Sequence, residues 1–124
     1  FGRVVWQSTA PPRAETITVA ATDPGGLSGT RSFTLTLTPD AKGPSVSLFV
    51  TPNPVNLGQQ VTVRVSATDD IGVTGTSLSV VQGGATTPLA LPPQGTATFT
   101  PAAAGRYTFV AVATDAAGNA GQAQ

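Results

Sequence analysis

Short runs in which apolar and polar residues alternate make up much of the chain. The clearest run covers residues 61–67, where valine or alanine takes every odd position and Thr62, Arg64 and Ser66 take the even ones. A period of two places successive side chains on opposite faces of a β-strand, so this run predicts a strand with one buried face. No segment shows a helical period, and the alternation therefore predicts an all-β protein.

The first 40 residues predict three strands that do not complete a domain. Three strands cannot close a sandwich, and their apolar face needs a cover. We therefore expect residues 1–38 to be the C-terminal fragment of a β-sandwich whose front half precedes Phe1. Residues 39–44 contain two prolines and predict a short, restricted linker. The three runs are centred on Val4 and Trp6, on residues 17–21 and on residues 33–37.

From residue 45 onward the sequence predicts a complete sandwich. Seven short apolar runs follow one another, and turns that contain Gly, Pro or Asp separate them. Seven strands at this spacing are typical of an immunoglobulin-like β-sandwich, which we assign to residues 45–124. The predicted strands are centred on residues 46–50, 61–67, 78–80, 89–91, 97–99, 105–114 and 120–124.

A repeated motif links the two parts of the chain. Ala-Thr-Asp ends a β-rich run at Asp23 and again, 92 residues later, at Asp115, and a glycine-containing turn follows both times. A third Ala-Thr-Asp ends at Asp69. A repeat of about 90 residues is too long for a solenoid unit and suits one β-sandwich for each copy.

The composition narrows the function mainly through the residue types that are missing. The chain has no Cys and no His, and six basic residues balance six acidic ones. Without Cys there is no disulfide, thiolate zinc site or thiol nucleophile, and without His the usual acid–base group at neutral pH is missing. The neutral balance gives no basic footprint for nucleic acid, and no apolar run has the length of a membrane span. We expect a protein that is not an enzyme, binds no nucleic acid and inserts into no membrane.

Several motifs carry a resemblance to known families. Residues 44–124, with Thr-Pro-Asn-Pro at 51–54 and Thr-Asp-Ala-Ala-Gly-Asn at 114–119, resemble the bacterial Ig-like domains of large surface, secreted and Rhs-repeat proteins. Residues 3–38, with Ala-Thr-Asp-Pro-Gly-Gly-Leu-Ser at 21–28, resemble the end of a bacterial cadherin-like or dystroglycan-type Ig domain. Such modules act mainly as spacers and adhesive stalks, so the resemblance implies a tandem-repeat protein on the bacterial surface or outside the cell.

Oxygen-bearing side chains near the predicted junction form the one candidate site. In an immunoglobulin-like sandwich the loops after the second and sixth strands lie at the end where the first strand enters, so the linker comes near them. Converging oxygens suit Ca²⁺, and the pattern is similar to that with which cadherins hold calcium between domains. A second interpretation stays open, in which these side chains cap their own turns. The five candidate ligands are Asp40, Asp69, Asp70, Asp115 and Asn119.

The sequence predicts structural roles for three other residues. Asp23 occupies the equivalent turn of the first part, and we expect it to cap that turn. Tyr107 stands at the start of the sixth predicted strand, where immunoglobulin-like sandwiches place a tyrosine whose hydroxyl bonds to nearby backbone. Trp6 lies on an alternating strand and is expected in a core.

The sequence favours a non-catalytic Ig-like spacer or adhesion module of a larger bacterial surface or secreted protein. Its partners would be the neighbouring domains of the same chain, and calcium at the junction would stiffen it. The alternative is a carbohydrate- or protein-binding accessory module of a secreted enzyme. Binding modules usually display exposed aromatic rings, whereas all five Phe residues here lie on or beside predicted strands.

Overall fold

The computed structural model describes residues 13–124, which form strands, turns and loops without a helix. The chain divides into two compact units, Phe1–Asp40 and Ala41–Gln124, and each is described by itself. The strand predicted around Val4 and Trp6 lies outside the described residues. Within the described range, no helix has the length and apolar character needed to cross a membrane.

The first unit contains an antiparallel hairpin of β1 (Ala14–Thr22) and β2 (Ser28–Thr36). Residues directly opposite each other share a face, and Ile17 pairs with Phe33. The opposite face carries hydroxyls, among them a 2.7 Å hydrogen bond between the side chains of Thr18 and Ser32. The hairpin therefore has one apolar face and one polar face, as the alternation predicts. The side chain of Phe33 is 53% exposed on the apolar face.

The second unit is a sandwich of two antiparallel sheets. One sheet has the strand order β3-β4-β7, and the other has the order β6-β5-β8-β9. The predicted all-β sandwich of about seven strands is confirmed in this unit. Its strands are β3 (Ser45–Thr51), β4 (Val61–Thr68), β5 (Val73–Gln82), β6 (Ala85–Leu89), β7 (Thr96–Phe99), β8 (Thr108–Asp115) and β9 (Ala120–Ala123).

The core of the second unit lies between its two sheets. In β4, Val61, Val63 and Val65 are buried while Arg64 and Ser66 are exposed, as the alternation predicts. The facing sheet adds Leu78 and Val80 from β5 and Phe109 and Ala111 from β8. The ring of Phe99 packs edge-on against the ring of Phe109, with centroids 5.5 Å apart.

The first and last strands of the second unit approach each other closely at one edge of the sandwich. A Cβ atom on Gly121 would overlap the carbonyl oxygen of Pro44, and one on Gly43 would lie 2.5 Å from the carbonyl oxygen of Ala120. Only glycine lets the two backbones approach this closely. The start of β3 therefore lies directly against β9.

Two predicted strand positions are wrong. The fourth strand spans Ala85–Leu89 and not residues 89–91. The two-residue turn Gly83-Gly84 places Ala85 opposite Gln82, so the ladder between β5 and β6 begins directly after the turn. The sixth strand begins at Thr108 and not at residue 105. Residues 103–107 are held in a turn, in which the hydroxyl of Tyr107 bonds to the backbone of Ala103.

Candidate functional site

Two of the loops that carry the predicted ligands lie at the same end of the second unit. β4 ends at Thr68, and Asp69 and Asp70 follow it in the loop that leads to β5. Val73, the first residue of β5, pairs with Asp115 at the end of β8. The sheet register therefore brings the loop after the second strand beside the turn after the sixth, as the sequence predicts.

Asp69 combines a capping bond with an oxygen that has no partner. The backbone N–H of Ile71 donates to Oδ2 of Asp69 at 3.1 Å, which closes a local turn. The other oxygen, Oδ1, is buried and has no hydrogen-bond partner among the described residues. Carboxylate oxygens of Asp69 and the exposed Asp70 lie within 4.8 Å of each other. A buried acceptor without a partner is costly, so this pair has the chemistry of a cation ligand.

Asp115 uses both carboxylate oxygens to close its own turn. The side chain is 4% exposed, and the backbone N–H of Asn119 donates to Oδ1 at 2.9 Å. The side-chain amide of Asn119 donates to Oδ2, also at 2.9 Å. Among the described residues, Asp115 forms no group of three carboxylates within 4.8 Å with Asp69 and Asp70. The geometry supports the capping interpretation for Asp115 and Asn119.

The turn after β1 repeats the geometry of the turn after β8. The N–H of Leu27 donates to Oδ1 of Asp23 at 3.0 Å, and the N–H of Asp23 donates to the carbonyl of Leu27 at 2.9 Å. At the later turn, the N–H of Asp115 donates to the carbonyl of Asn119 at 3.1 Å. A glycine with positive φ stands three residues after each aspartate, at Gly26 and Gly118. The predicted capping role of Asp23 is confirmed.

The remaining predicted ligand, Asp40, is the last residue of the first unit and lies outside any strand. The structure thus pairs Asp69 with Asp70 and Asp115 with Asn119 within the second unit. Tyr107 has the predicted corner role, since its hydroxyl donates to the carbonyl of Ala103 at 2.8 Å and accepts from the N–H of Ala103 at 3.3 Å. That prediction is confirmed.

Phe49 lies on a strand, as the sequence predicts, but its ring is exposed, so a position on a strand does not exclude an exposed aromatic ring. Its side chain is 63% exposed and lies on the outer face of the β3-β4-β7 sheet, directly opposite Arg64. A shallow groove beside it also includes Gln94 and Thr96. The signal was present in the alternation, because Leu48 and Val50 point inward and residue 49 must then point outward.

Comparison with known proteins adds no family to these observations. A scan against protein-family models and a search of curated proteins both find no match to this chain.

Proposed function

We propose that the chain is a non-catalytic, Ig-like spacer or adhesion module of a larger bacterial surface or secreted protein. The observation that carries the proposal is the pair of hairpins that share one turn geometry, closed by Asp23 in the first unit and by Asp115 in the second. A tandem protein built from one kind of sandwich repeats its local structure in this way. Its function is to set the distance between flanking domains.

The strand order of the second unit supports the Ig-like part of the proposal. The first, second and fifth strands form one sheet, and the fourth, third, sixth and seventh form the other. This is the division of a seven-stranded immunoglobulin-like sandwich, except that the fourth strand pairs with the third instead of joining the sheet of the first, second and fifth strands. The Ig-like name is therefore supported by strand order, by the corner tyrosine and by an aliphatic core between the sheets.

The interior supports a structural role as well. The described core consists of Val, Leu, Ala and Phe side chains, and the buried charged residue, Asp115, is engaged by its own turn. An acid or base that serves catalysis needs a free position beside a substrate. Both carboxylate oxygens of Asp115 instead accept hydrogen bonds from Asn119 and stabilise the hairpin.

A distance measurement tests the spacer function. The chain has no Cys, so Thr30→Cys and Thr98→Cys place one dye on each unit at exposed positions. A spacer predicts one narrow distribution of energy-transfer distances. The control pair, Ser47→Cys with Thr98→Cys, lies within the second unit and gives the width that the dye linkers alone produce. A broad distribution for the first pair beside a narrow control would identify a flexible tether and reject the spacer.

Calcium stiffening is the finer part of the proposal, and Asp69 with Asp70 would hold the ion. Ca²⁺ takes six to eight oxygens, so these carboxylates need backbone oxygens or water to complete the shell. Millimolar Ca²⁺ is then expected to raise the midpoint of thermal unfolding, and Asp69→Asn is expected to abolish the rise. The matched control is Asp23→Asn, at an exposed capping aspartate, and this variant is expected to retain the Ca²⁺-dependent rise in the midpoint. No rise in the unsubstituted chain would leave Asp69 as a turn cap.

A carbohydrate- or protein-binding module is the second candidate, favoured by the exposed ring of Phe49 beside Arg64. Aromatic residues, Phe included, and arginine are enriched in protein–protein interfaces. A glycan array and a pull-down from culture supernatant test it, with Phe49→Ala as the variant and Phe33→Ala as the exposed control. Binding that depends on Phe49 but not on Phe33 would favour this candidate over the spacer.

A further inference from the structure

The outer face of the β3-β4-β7 sheet carries one aromatic ring and one cation on a polar surface. Phe49 lies directly opposite Arg64, and Arg64 lies directly opposite Thr96, so these three side chains form one row across the sheet. Directly opposite side chains have Cβ atoms about 5 Å apart, and the row therefore spans about 10 Å. Apart from Phe49 and Arg64, every outward residue of these three strands carries a hydroxyl, namely Ser45, Ser47, Thr51, Thr62, Ser66, Thr68, Thr96 and Thr98.

This row lines a groove of about 590 Å³, a volume within the range of about 300–1,000 Å³ that is usual for ligand sites. The segment before β7 forms part of the groove. The N–H of Val65 donates to the carbonyl of Gly95 at 2.7 Å, and a Cβ atom on Gly95 would overlap the carbonyl oxygen of Val65. Gly95 thus brings the backbone close to β4, and the adjacent Gln94 becomes part of the lining beside Ser66.

The polar side chains that line the groove are available to a ligand. Arg64, Gln94 and Thr96 form no side-chain hydrogen bond or ion pair with any residue that the structure describes. The side chains of Arg64 and Gln94 are exposed, and none of the described residues that line the groove is acidic. A guanidinium presents parallel N–H groups that match the two oxygens of one carboxylate. The charge of Arg64 is therefore complementary to a ligand that carries a carboxylate.

A carbohydrate suits this face better than a protein does. The core of a protein interface is apolar, whereas Phe49 is the one large apolar side chain among the outward residues of these three strands. Hydroxyl and amide side chains both donate and accept hydrogen bonds, as the hydroxyls of a sugar do. The exposed ring of Phe49 supplies an apolar surface for the C–H groups of a sugar ring.

We infer that this groove binds a segment of acidic polysaccharide. A sugar ring packs on Phe49, the carboxylate of a uronic acid accepts hydrogen bonds from Arg64, and Gln94 and Thr96 bond to sugar hydroxyls. The inference rests on the second candidate function, the binding module, and names the class of its ligand.

The test uses the 124-residue chain and the hexasaccharides of galacturonate, of mannuronate and of hyaluronan. Titrations are followed by the NMR signals of the backbone amides. At least one hexasaccharide is expected to bind and to shift the signals of Phe49, Arg64 and residues 94–96. Its methyl ester, which lacks the charge, is expected to bind about tenfold more weakly, or weaker still. Absence of binding by all three at millimolar concentration, or shifts confined to the first unit, would overturn the inference.

Two pairs of variants connect the binding to the groove. Arg64→Gln is expected to lower the affinity for the charged hexasaccharide about tenfold or more and to leave the affinity for its ester unchanged. Arg31→Gln, at an exposed arginine of β2, is the matched control and is expected to retain both affinities. Phe49→Ala is expected to weaken the binding of both forms, whereas Phe33→Ala is not. Equal losses for Arg64→Gln and Arg31→Gln would indicate attraction by charge alone and would overturn the site.

The comparison of the charged and esterified forms leaves the protein unaltered. Equal binding of the two forms would overturn the acidic ligand and would still leave a carbohydrate-binding module. The spacer function is independent of both results, because its energy-transfer distances are measured without a glycan.

Discussion

The side chain of Asn119 and its backbone N–H donate to different oxygens of the same carboxylate, that of Asp115, each at 2.9 Å. This carboxylate is almost completely buried, with 4% of the residue exposed. A buried carboxylate is tolerated when hydrogen bonds replace its hydration, so the pair Asp115 and Asn119 stabilises the hairpin that ends the second unit.

Replacement of Asp115 is therefore expected to destabilise the second unit. Asp115→Ala removes the two hydrogen bonds that the carboxylate accepts from Asn119 and should lower the free energy of unfolding by about 1–3 kcal/mol. Urea unfolding followed by the fluorescence of Tyr107, the one tyrosine, measures the change. The control is Asp23→Ala, where water replaces the lost bond of an exposed turn and a change below about 0.5 kcal/mol is expected. Equal effects of the two variants would refute a special role for the buried turn.

Gly121 and Gly29 occupy equivalent positions in the two hairpins and should respond differently to the same substitution. Gly121→Ala forces a Cβ atom into the carbonyl of Pro44 and should destabilise the second unit by about 1–3 kcal/mol or more. Gly29→Ala meets no atom within 4 Å and should change stability by less than about 0.5 kcal/mol. Urea unfolding of both variants, followed by circular dichroism, checks the difference. A neutral Gly121→Ala would mean that β3 and β9 separate at little cost.

The hydroxyl of Tyr107 is expected to stabilise the turn at residues 103–107. Tyr107→Phe removes two hydrogen bonds to Ala103 but keeps the packing of the ring on Phe99, whose centroid is 5.3 Å away. The free energy of unfolding should fall by about 0.5–1.5 kcal/mol, measured by circular dichroism. Amide exchange at Ala103 should become faster. Unchanged exchange there would show that the hydroxyl does not hold the turn.

Truncation of Val63 is expected to destabilise the core, because this side chain is completely buried. Val63→Ala removes two methyl groups and leaves a cavity between the sheets, so a loss of about 2–3 kcal/mol is expected. Val112→Ala, on the partly exposed outer face of β8, should cost less than about 1 kcal/mol. Urea unfolding followed by Tyr107 fluorescence compares the two. A similar loss for both would mean that the two faces of the sandwich are packed alike.

The elements that the sequence predicts well are those whose signal is local. The sequence of β4 alternates without interruption, and the turn that Asp23 caps involves only residues 23–27. Both could therefore be predicted without tertiary information. β6 has mostly exposed residues and contains Pro88, which an edge strand accepts. No alternation marks it, and its register is set by the preceding turn.

At the candidate site, too, the sequence predicts the local contacts but not those that depend on the tertiary fold. Capping by Asp115 follows from the turn sequence. The oxygen of Asp69 that lacks a partner depends on which atoms surround it in the folded chain. No spacing of residues in the sequence reports such surroundings, so the metal hypothesis could name Asp69 but could not separate its two oxygens.

The contact between β3 and β9 has a mechanical consequence. Gly43 lies against Ala120 and Pro44 against Gly121, so residue numbers rise together and the two chain segments run in the same direction. For such a pair, the start of one segment and the end of the other lie at opposite ends of the contact. A stretching force applied through residues 41 and 124 slides β3 along β9 and loads their contacts simultaneously, whereas segments in opposite directions would peel apart one contact at a time.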